Sequence, residues 1–231
     1  MWPSRANLVF GALVVLALSG CMEFPGAGAA ARLPKAEPTL TVWGGAFVIA
    51  GPHGFCIDPG AARQDEKSAF AVLGSCATIS GNPRDAKPRK PAVLTALVAP
   101  AAAPLDDAAL DRLSAFFRSP DGEAALARSD HARHAEVIGE RRVDGALVLH
   151  ARDGDSSGNV SGDYWRAVLD VSGNLVTLTV SGYSTDPLDE TSGARLTERF
   201  IAAVRAANRD AGAPPEAAGG GLAALFNRLP L

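Results

Sequence analysis

The chain has 231 residues, a formal net charge of -3 and a hydrophobic fraction of 47%. This length accommodates one ordinary domain with tails and is too short for two comfortable domains. The slightly acidic balance argues against nucleic acid as a partner, because nucleic-acid recognition needs a concentrated basic face. The nearest approach to a basic patch, Lys87-Pro88-Arg89-Lys90, is interrupted by proline and is predicted to be a solvated loop.

The N-terminus carries the three parts of a secretory signal: a charged start, an apolar stretch and a small-residue cleavage site. Arg5 precedes an apolar run from Leu8 to Leu18, which at about eleven residues is shorter than the roughly 20 that a membrane-spanning helix needs. The segment ends in Leu18, Ser19, Gly20 and Cys21. This ending resembles the lipobox of bacterial lipoproteins, which implies that residues 1–20 are removed and that Cys21 carries fatty acyl chains such as palmitate. Several acyl chains on one residue would anchor the protein permanently to a membrane.

The residues after the cleavage site are predicted to form a flexible tether. Residues 21–38 are rich in Ala, Gly and Pro and offer little that can be buried. The lipobox resemblance implies that the protein is held at the periplasmic face of the cell envelope. Met22 stands where an Asp would retain an enterobacterial lipoprotein at the inner membrane, so the outer membrane is the favoured destination.

Two cysteines, Cys56 and Cys76, remain once Cys21 is assigned to the lipid. They would lie in an oxidising compartment, where disulfides persist. A bridge between them would close a loop of about 20 residues and stabilise the fold by roughly 3 kcal/mol in the chain-entropy model. Two free thiols are one alternative. A catalytic or metal-binding pair is another, although the sequence has neither Cys-x-x-Cys spacing nor a second pair to complete a four-ligand site.

Short apolar segments separated by glycine and proline predict a series of strands between Thr39 and Pro100. The last of them is long enough for a central strand, and Gly74-Ser75-Cys76 marks a bulge or bend. Both remaining cysteines fall on or beside neighbouring short strands, where a bridge closes easily. The predicted strands are 40–43, 46–50, 55–58, 69–73, 77–79 and 92–98.

Two helices in series are predicted next. Asp106 is placed as an N-cap, with Leu105 and Leu110 at the positions of a hydrophobic staple. Ser119 can cap a second, shorter helix that starts at Pro120. The apolar face of the first helix continues at helical spacing through Leu113, Phe116 and Phe117.

Period-two alternation over three segments between Ala135 and Ser181 predicts an antiparallel meander with one buried and one wetter face. His150 is assigned to the wetter face. A helix between Ser192 and Asn208 is predicted to cover the buried face with an apolar stripe. The residues assigned to the buried face are Leu147, Leu149, Ala151, Trp165, Ala167, Leu169, Val171, Val176, Leu178 and Val180, and those of the helix stripe are Leu196, Phe200, Ile201 and Val204.

These elements predict an α+β fold, with a single antiparallel sheet flanked by helices, in one domain at 39–209. Residues 210–231 follow as a Gly/Pro linker and a short amphipathic segment, which either packs on the domain or contacts a partner or membrane. The element order over Leu40–Asn208 resembles the PsbP-like α/β sandwich of photosystem extrinsic subunits and many secreted bacterial domains. The phrases Gly54-Phe55-Cys56-Ile57-Asp58 and Val72-Leu73-Gly74-Ser75-Cys76-Ala77 are similar to segments of alphaproteobacterial lipoproteins that carry no established activity.

The segment Asp153–Tyr164 has oxygen donors spaced as in much of an EF-hand calcium loop. Tyr164 stands where a bidentate Glu belongs, and the segment joins two strands, so only Asp163 can replace the missing carboxylate. We expect a hairpin loop rich in turn-forming residues and no metal site, with calcium binding as the alternative. The candidate ligands are Asp153, Asp155, Ser157, Ser161 and Asp163, with Gly158 at the sharp turn.

The sequence contains no recognisable catalytic motif: it lacks a Gly-x-Ser-x-Gly elbow, a Walker loop and a dinucleotide fingerprint. His131 and His134 stand three residues apart, but no third ligand accompanies them and Arg133 would repel a cation. We therefore predict an accessory or binding protein without a cofactor, anchored through the lipid on Cys21 and in contact with an unidentified envelope protein. A small-ligand or metal-binding lipoprotein and an envelope hydrolase with a triad assembled from distant positions are the alternatives.

Overall fold

The computed structural model describes residues 35–127, 135–154 and 158–209. Strands and helices alternate irregularly along these ranges, which confirms the predicted α+β class. The strands are β1 (Thr39–Val42), β2 (Phe47–Ala50), β3 (Phe55–Ile57), β4 (Arg63–Gln64), β5 (Ala69–Ser75), β6 (Val93–Pro100), β7 (Ala135–Val143), β8 (Ala146–Asp153), β9 (Val160–Val171) and β10 (Asn174–Tyr183). The helices are α1 (Cys76–Ser80), α2 (Asp107–Phe117), α3 (Pro120–Leu126) and α4 (Glu190–Ala207).

An antiparallel sheet of eight strands forms the body of the domain. Its order is β3-β5-β6-β10-β9-β8-β7, with β4 paired to β5 beside that path. β1 and β2 form a separate two-stranded hairpin, an addition to the single sheet that was predicted. β6 is an inner strand, as expected, and β8, β9 and β10 are the predicted meander, which β7 extends at the edge.

Both faces of the main sheet bury side chains. The first face packs against α4 and the β1-β2 hairpin, and the second face packs against α2 and α3. Burying one Leu or Phe side chain contributes roughly 1.5–3 kcal/mol, so the first face, with the larger cluster, dominates the stability of the domain. That cluster includes Trp165, Ala167, Leu169, Val176, Leu178 and Val180 of the sheet and Leu196, Phe200, Ile201 and Val204 of α4.

The predicted face of β8 is wrong. Leu147 pairs with Val168 of β9, and Val148 pairs with Ala167. Because directly opposed residues share a face, Val148 lies under α4 with Ala167, whereas Leu147 faces α2 and α3. Apolar residues occupy both sides of this strand, so alternation alone cannot identify the side that meets α4. Leu149 and Ala151 lie on the same side of β8 as Leu147, so they too face α2 and α3 and not α4.

The predicted N-caps of α2 and α3 are confirmed. Asp106 caps α2 by accepting a hydrogen bond of 2.7 Å from the backbone amide three residues on. Leu105 packs against the cluster that contains Leu110, as expected for a hydrophobic staple. Ser119 caps α3, and Asp189 caps α4, which begins at Glu190, two residues before its predicted start.

Residues 77–79 belong to helix α1 and not to the predicted strand. β5 continues through Ser75, the helix begins at Cys76, and Gly81 ends it with a left-handed φ of 70°. Glycine adopts this conformation without the steric penalty of a Cβ atom. An apolar run this short has no periodicity that separates a strand from one turn of helix.

A disulfide joins Cys56 of β3 to Cys76 at the start of α1, with the two Cα atoms 4.8 Å apart. The predicted bridge is therefore confirmed. The alternatives of two free thiols and of a catalytic or metal-binding pair are excluded, because both sulfur atoms are used in the bridge.

Candidate functional site

An apolar stripe crosses the second face of the main sheet where no helix covers it. The stripe consists of Phe70, Leu97 and Leu175 of the sheet and of Phe116 at the adjoining end of α2, and it is called the open-face stripe below. Within the described ranges, the exposed large apolar side chains are Leu97 at 44%, Phe116 at 43% and Leu175 at 38%. Phe70 lies directly opposite Leu97 across the β5-β6 pair. The exposed large apolar side chains are thus gathered on one face instead of being scattered over the surface.

The stripe is exposed because the helices of this face lie at one side of the sheet. Leu110 of α2 and Leu126 of α3 pack with Leu147 and Leu149 of β8. A helix is about 10 Å wide and strands are about 4.8 Å apart, so one layer of helix covers only about two strands. β5, β6 and β10 therefore extend beyond the helices on this face, while α4 covers the opposite one.

An open groove borders the stripe at the end of the sheet where β9 turns into β10. The segment Ala101–Leu105 forms one wall, and the groove has two contiguous parts of about 550 and 430 Å³. Asp106, Asp170 and Gly173 line the first part. Besides the shared wall, the second part is lined by Ala109, Leu113, Phe116 and Leu175, together with the cation Arg112. We call both parts together the Ala101 groove.

The other end of the stripe combines an apolar floor with charges of both signs. The guanidinium carbon of Arg63 lies 5.1 Å from the centre of the Phe70 ring, within the range of a cation–π contact. The backbone amides of Lys67 and Ser68 donate hydrogen bonds of 2.7 and 2.8 Å to Asp65, and these bonds lower the pKa of its carboxyl group. Asp65 is therefore ionised at neutral pH, beside a permanently charged guanidinium.

The candidate calcium ligands that the structure describes do not converge. Asp163 accepts two hydrogen bonds from Arg152, of 2.6 and 3.0 Å. These two residues are directly opposed in the β8-β9 pairing, so Asp153, the next residue of β8, points to the opposite face of the sheet. Asp155 and Ser157 lie outside the described residues. Among residues 35–127, 135–154 and 158–209, no group of three His, Cys, Asp or Glu side chains could hold a metal ion.

His150 lies on the face covered by α4, so its assignment to the wetter face is wrong. Its ring stacks on Trp165 with centroids 4.3 Å apart, and its Nε2 is 3.8 Å from a carboxylate oxygen of Asp163. Burial lowers the pKa of the imidazole, while the negative charges of Asp163 and Glu190 partly oppose that shift. This stacked and desolvated position makes His150 part of the packing beneath the start of α4.

Besides Asp155 and Ser157, two further sets of candidate site residues lie outside the described ranges. They are the lipidation segment, Leu18, Ser19, Gly20 and Cys21, and the pair His131 and His134. Their roles remain predictions.

The sequence interpretation missed the open-face stripe, although a signal was present. Thr95 and Leu97 share one side of β6, and Leu175 and Thr177 share one side of β10. The threonines are typical of a solvent-facing side, and a leucine on the same side of each strand breaks the alternation. Apolar residues on the polar side of two neighbouring strands indicate an exposed apolar surface that binds another molecule or segment.

In the part of the chain that the structure describes, no helix combines the length and the apolar character needed to cross a bilayer. Comparisons of the chain with protein-family models, with curated proteins and with solved structures return no match.

Proposed function

We propose that the protein is a lipid-anchored accessory protein at the periplasmic face of the outer membrane, and that it binds an envelope protein through the open-face stripe. The observation that carries this proposal is the exposure of Leu97 and Leu175 on one sheet face and of Phe116 on the helix beside them. A contiguous exposed apolar patch on a folded domain marks a surface that contacts another molecule. The lipobox resemblance supports the location, because it places the domain on a tether at the envelope.

The composition of the site favours binding over catalysis. The side chains of the open-face stripe supply contact area, and Phe70 and Phe116 provide the large rigid surfaces that contribute most at protein interfaces. Arg63 and Asp65 supply charges at one edge, which is how interfaces orient their partners. The PsbP-like resemblance is part of the same proposal, because photosystem extrinsic subunits of that fold are accessory parts of a larger assembly.

A photoactivated cross-linking residue in place of Leu97 should capture the same envelope protein in repeated experiments with intact host cells, because this side chain lies exposed within the stripe. The matched control is the cross-linker at Arg199, on the solvent side of α4, where little capture is expected. Adding Leu175→Asp should abolish capture at position 97, since it places a charge in the contact. Equal capture at positions 97 and 199, or capture that survives Leu175→Asp, would contradict the proposal.

The lipid anchor has a separate test. Cells grown with alkyne-labelled palmitate should label the wild-type protein, whereas Cys21→Ser should remove the label because no thiol remains for the acyl chains. Ser19→Ala, which keeps a small residue beside the cleavage site, is the matched control and should remain labelled. Labelling that persists in Cys21→Ser would show that Cys21 is not the attachment residue.

A further inference from the structure

We infer that the amphipathic segment at 222–229 docks in the Ala101 groove and covers the Phe116-Leu175 end of the open-face stripe. The segment lies outside the described residues. The contacts of the last described residues, the length of the linker, the apolar pattern of the segment and the charges at the groove support this occupant.

The chain leaves α4 at the mouth of the groove. The side chain of Asn208 accepts a hydrogen bond from the amide of Val48 and donates one to its carbonyl oxygen, both of 2.8 Å. The carbonyl oxygen of Asn208 accepts a hydrogen bond of 3.2 Å from the hydroxyl of Ser172. The next residue, Gly173, lines the groove and accepts a hydrogen bond of 3.1 Å from the amide of Ala101. These bonds fix the point of departure beside the groove wall.

The linker is long enough to bring the segment into the groove. Residues 210–221 are mostly Ala, Gly and Pro. A flexible chain of this length has a root-mean-square span of about 20 Å. Gly173 and Leu175 are two residues apart in one strand, which is about 7 Å. A tethered segment this close to its site has an effective concentration on the order of millimolar, so even weak docking is populated.

The segment presents one apolar face of suitable length. Apolar residues recur at the spacing of a single helical face, and eight helical residues span about 12 Å. The side of α2 that lines the same groove runs from Ala109 to Phe116 and has a similar length. So short a helix is marginal in water and needs an apolar surface to form. The apolar residues of the segment are Leu222, Leu225, Phe226 and Leu229.

The charges around the groove are complementary to the segment. Asp106 and Asp170 line its mouth and Asp107 is exposed at the start of α2, so three carboxylates outnumber the one cation of the lining, Arg112. Arg228 is the one charged residue within 222–229. Attraction between this cation and the carboxylates favours the groove over solvent and orients the segment along it.

Docking would make the open-face stripe a regulated surface. The segment covers Leu175 and Phe116 and leaves Phe70 and Leu97 accessible. A partner that uses the whole stripe must therefore displace the segment, and its apparent affinity falls by the fraction of molecules in the docked state. This regulatory consequence rests on the proposed function, whereas the docked state itself does not.

Disulfide trapping in the purified full-length protein, kept in detergent, tests the docked state. Leu175→Cys combined with Phe226→Cys should form an intramolecular bridge whose yield does not change on dilution. The matched control combines Phe226→Cys with Arg199→Cys, which lies about 14 Å from Asn208 along α4 and is equally within reach of the linker. We expect at least tenfold less bridging in the control. Equal bridging in both pairs, or bridges between two molecules in place of one, would overturn the inference.

A second measurement does not need a bridge to form. The alkylation rate of Leu175→Cys should rise about tenfold when Leu225→Asp and Phe226→Asp are added, because an occluded site reacts only through its open fraction. Asn227→Asp adds a charge on the other side of the segment and should leave the rate unchanged. If the cysteine of Leu175→Cys is protected from alkylation only after lipid vesicles are added, the segment binds the membrane and the inference is overturned. No partner is present in either experiment, so a failed docking test leaves the cross-linking test of the proposed function intact.

Discussion

Gly193→Ala should destabilise the domain by about 2 kcal/mol, although alanine is normally the better helix former by about 1 kcal/mol. Gly193 lies in the first turns of α4, directly over Trp165. A Cβ atom at this position would overlap the six-membered ring of Trp165, which is 98% buried and stacks on the ring of His150. The ring cannot move away without disturbing the largest core cluster.

Urea unfolding followed by circular dichroism measures this effect. Arg195→Ala, on the exposed side of the same helix, is the matched control and should change the free energy of unfolding by less than about 0.5 kcal/mol. Trp165→Leu should destabilise the domain alone but remove most of the additional penalty of Gly193→Ala, because a smaller side chain leaves room for the methyl group. Additive effects of the two substitutions would show that Gly193 and Trp165 are not in contact.

Removing the disulfide by Cys56→Ala together with Cys76→Ala should lower the free energy of unfolding by about 3 kcal/mol, as the chain-entropy model gives for a separation of 20 residues. β3 has only three residues and ends the sheet order, so it pairs with one strand of the main sheet, β5, although Phe55 and Ile57 also pack in the core. Alanine avoids placing a hydroxyl group in the buried positions of the two sulfur atoms.

Two measurements separate the bridge from other effects of the substitutions. The wild-type protein in reductant should unfold at the same urea concentration as the double variant without reductant. Hydrogen exchange should increase most at β3 and α1, the two elements that the bridge joins. A reduced wild-type protein as stable as the oxidised one would contradict the predicted contribution of the bridge.

The elements that the sequence predicts well are those specified by neighbouring residues. The N-caps Asp106 and Ser119 bond to amides three residues away, so their helices can be located without knowledge of the rest of the fold. The turn at Ser172-Gly173 and the alternation on either side predict the β9-β10 hairpin in the same way. The disulfide was also predicted, from the spacing of the two cysteines and the oxidising compartment that the lipobox resemblance implies.

The features that the sequence does not reveal are those set by contacts between elements that are distant in the chain. The orientation of Val148 under α4 is set by the β8-β9 register, which puts it opposite Ala167. The same register places Asp163 against Arg152 and away from Asp153. The open-face stripe arises because α2 and α3 settle on β7 and β8 and leave β6 and β10 uncovered. Local sequence patterns do not determine which strands the two helices cover. Leu97 and Leu175, each on the same side of its strand as a threonine, are the one local sign of the uncovered strands.

The bond network of Asn208 also bears on the order in which the domain folds. Its two hydrogen bonds with Val48 connect positions 160 residues apart, and α4 supplies the cover for the β9-β10 part of the first face. Contacts so distant in sequence form late, because the entropy of closing the loop precedes any gain from the contact. A growing chain that has not yet reached Asn208 must therefore leave this face open. During synthesis the apolar side chains of β9 and β10 on this face are therefore exposed until α4 has emerged.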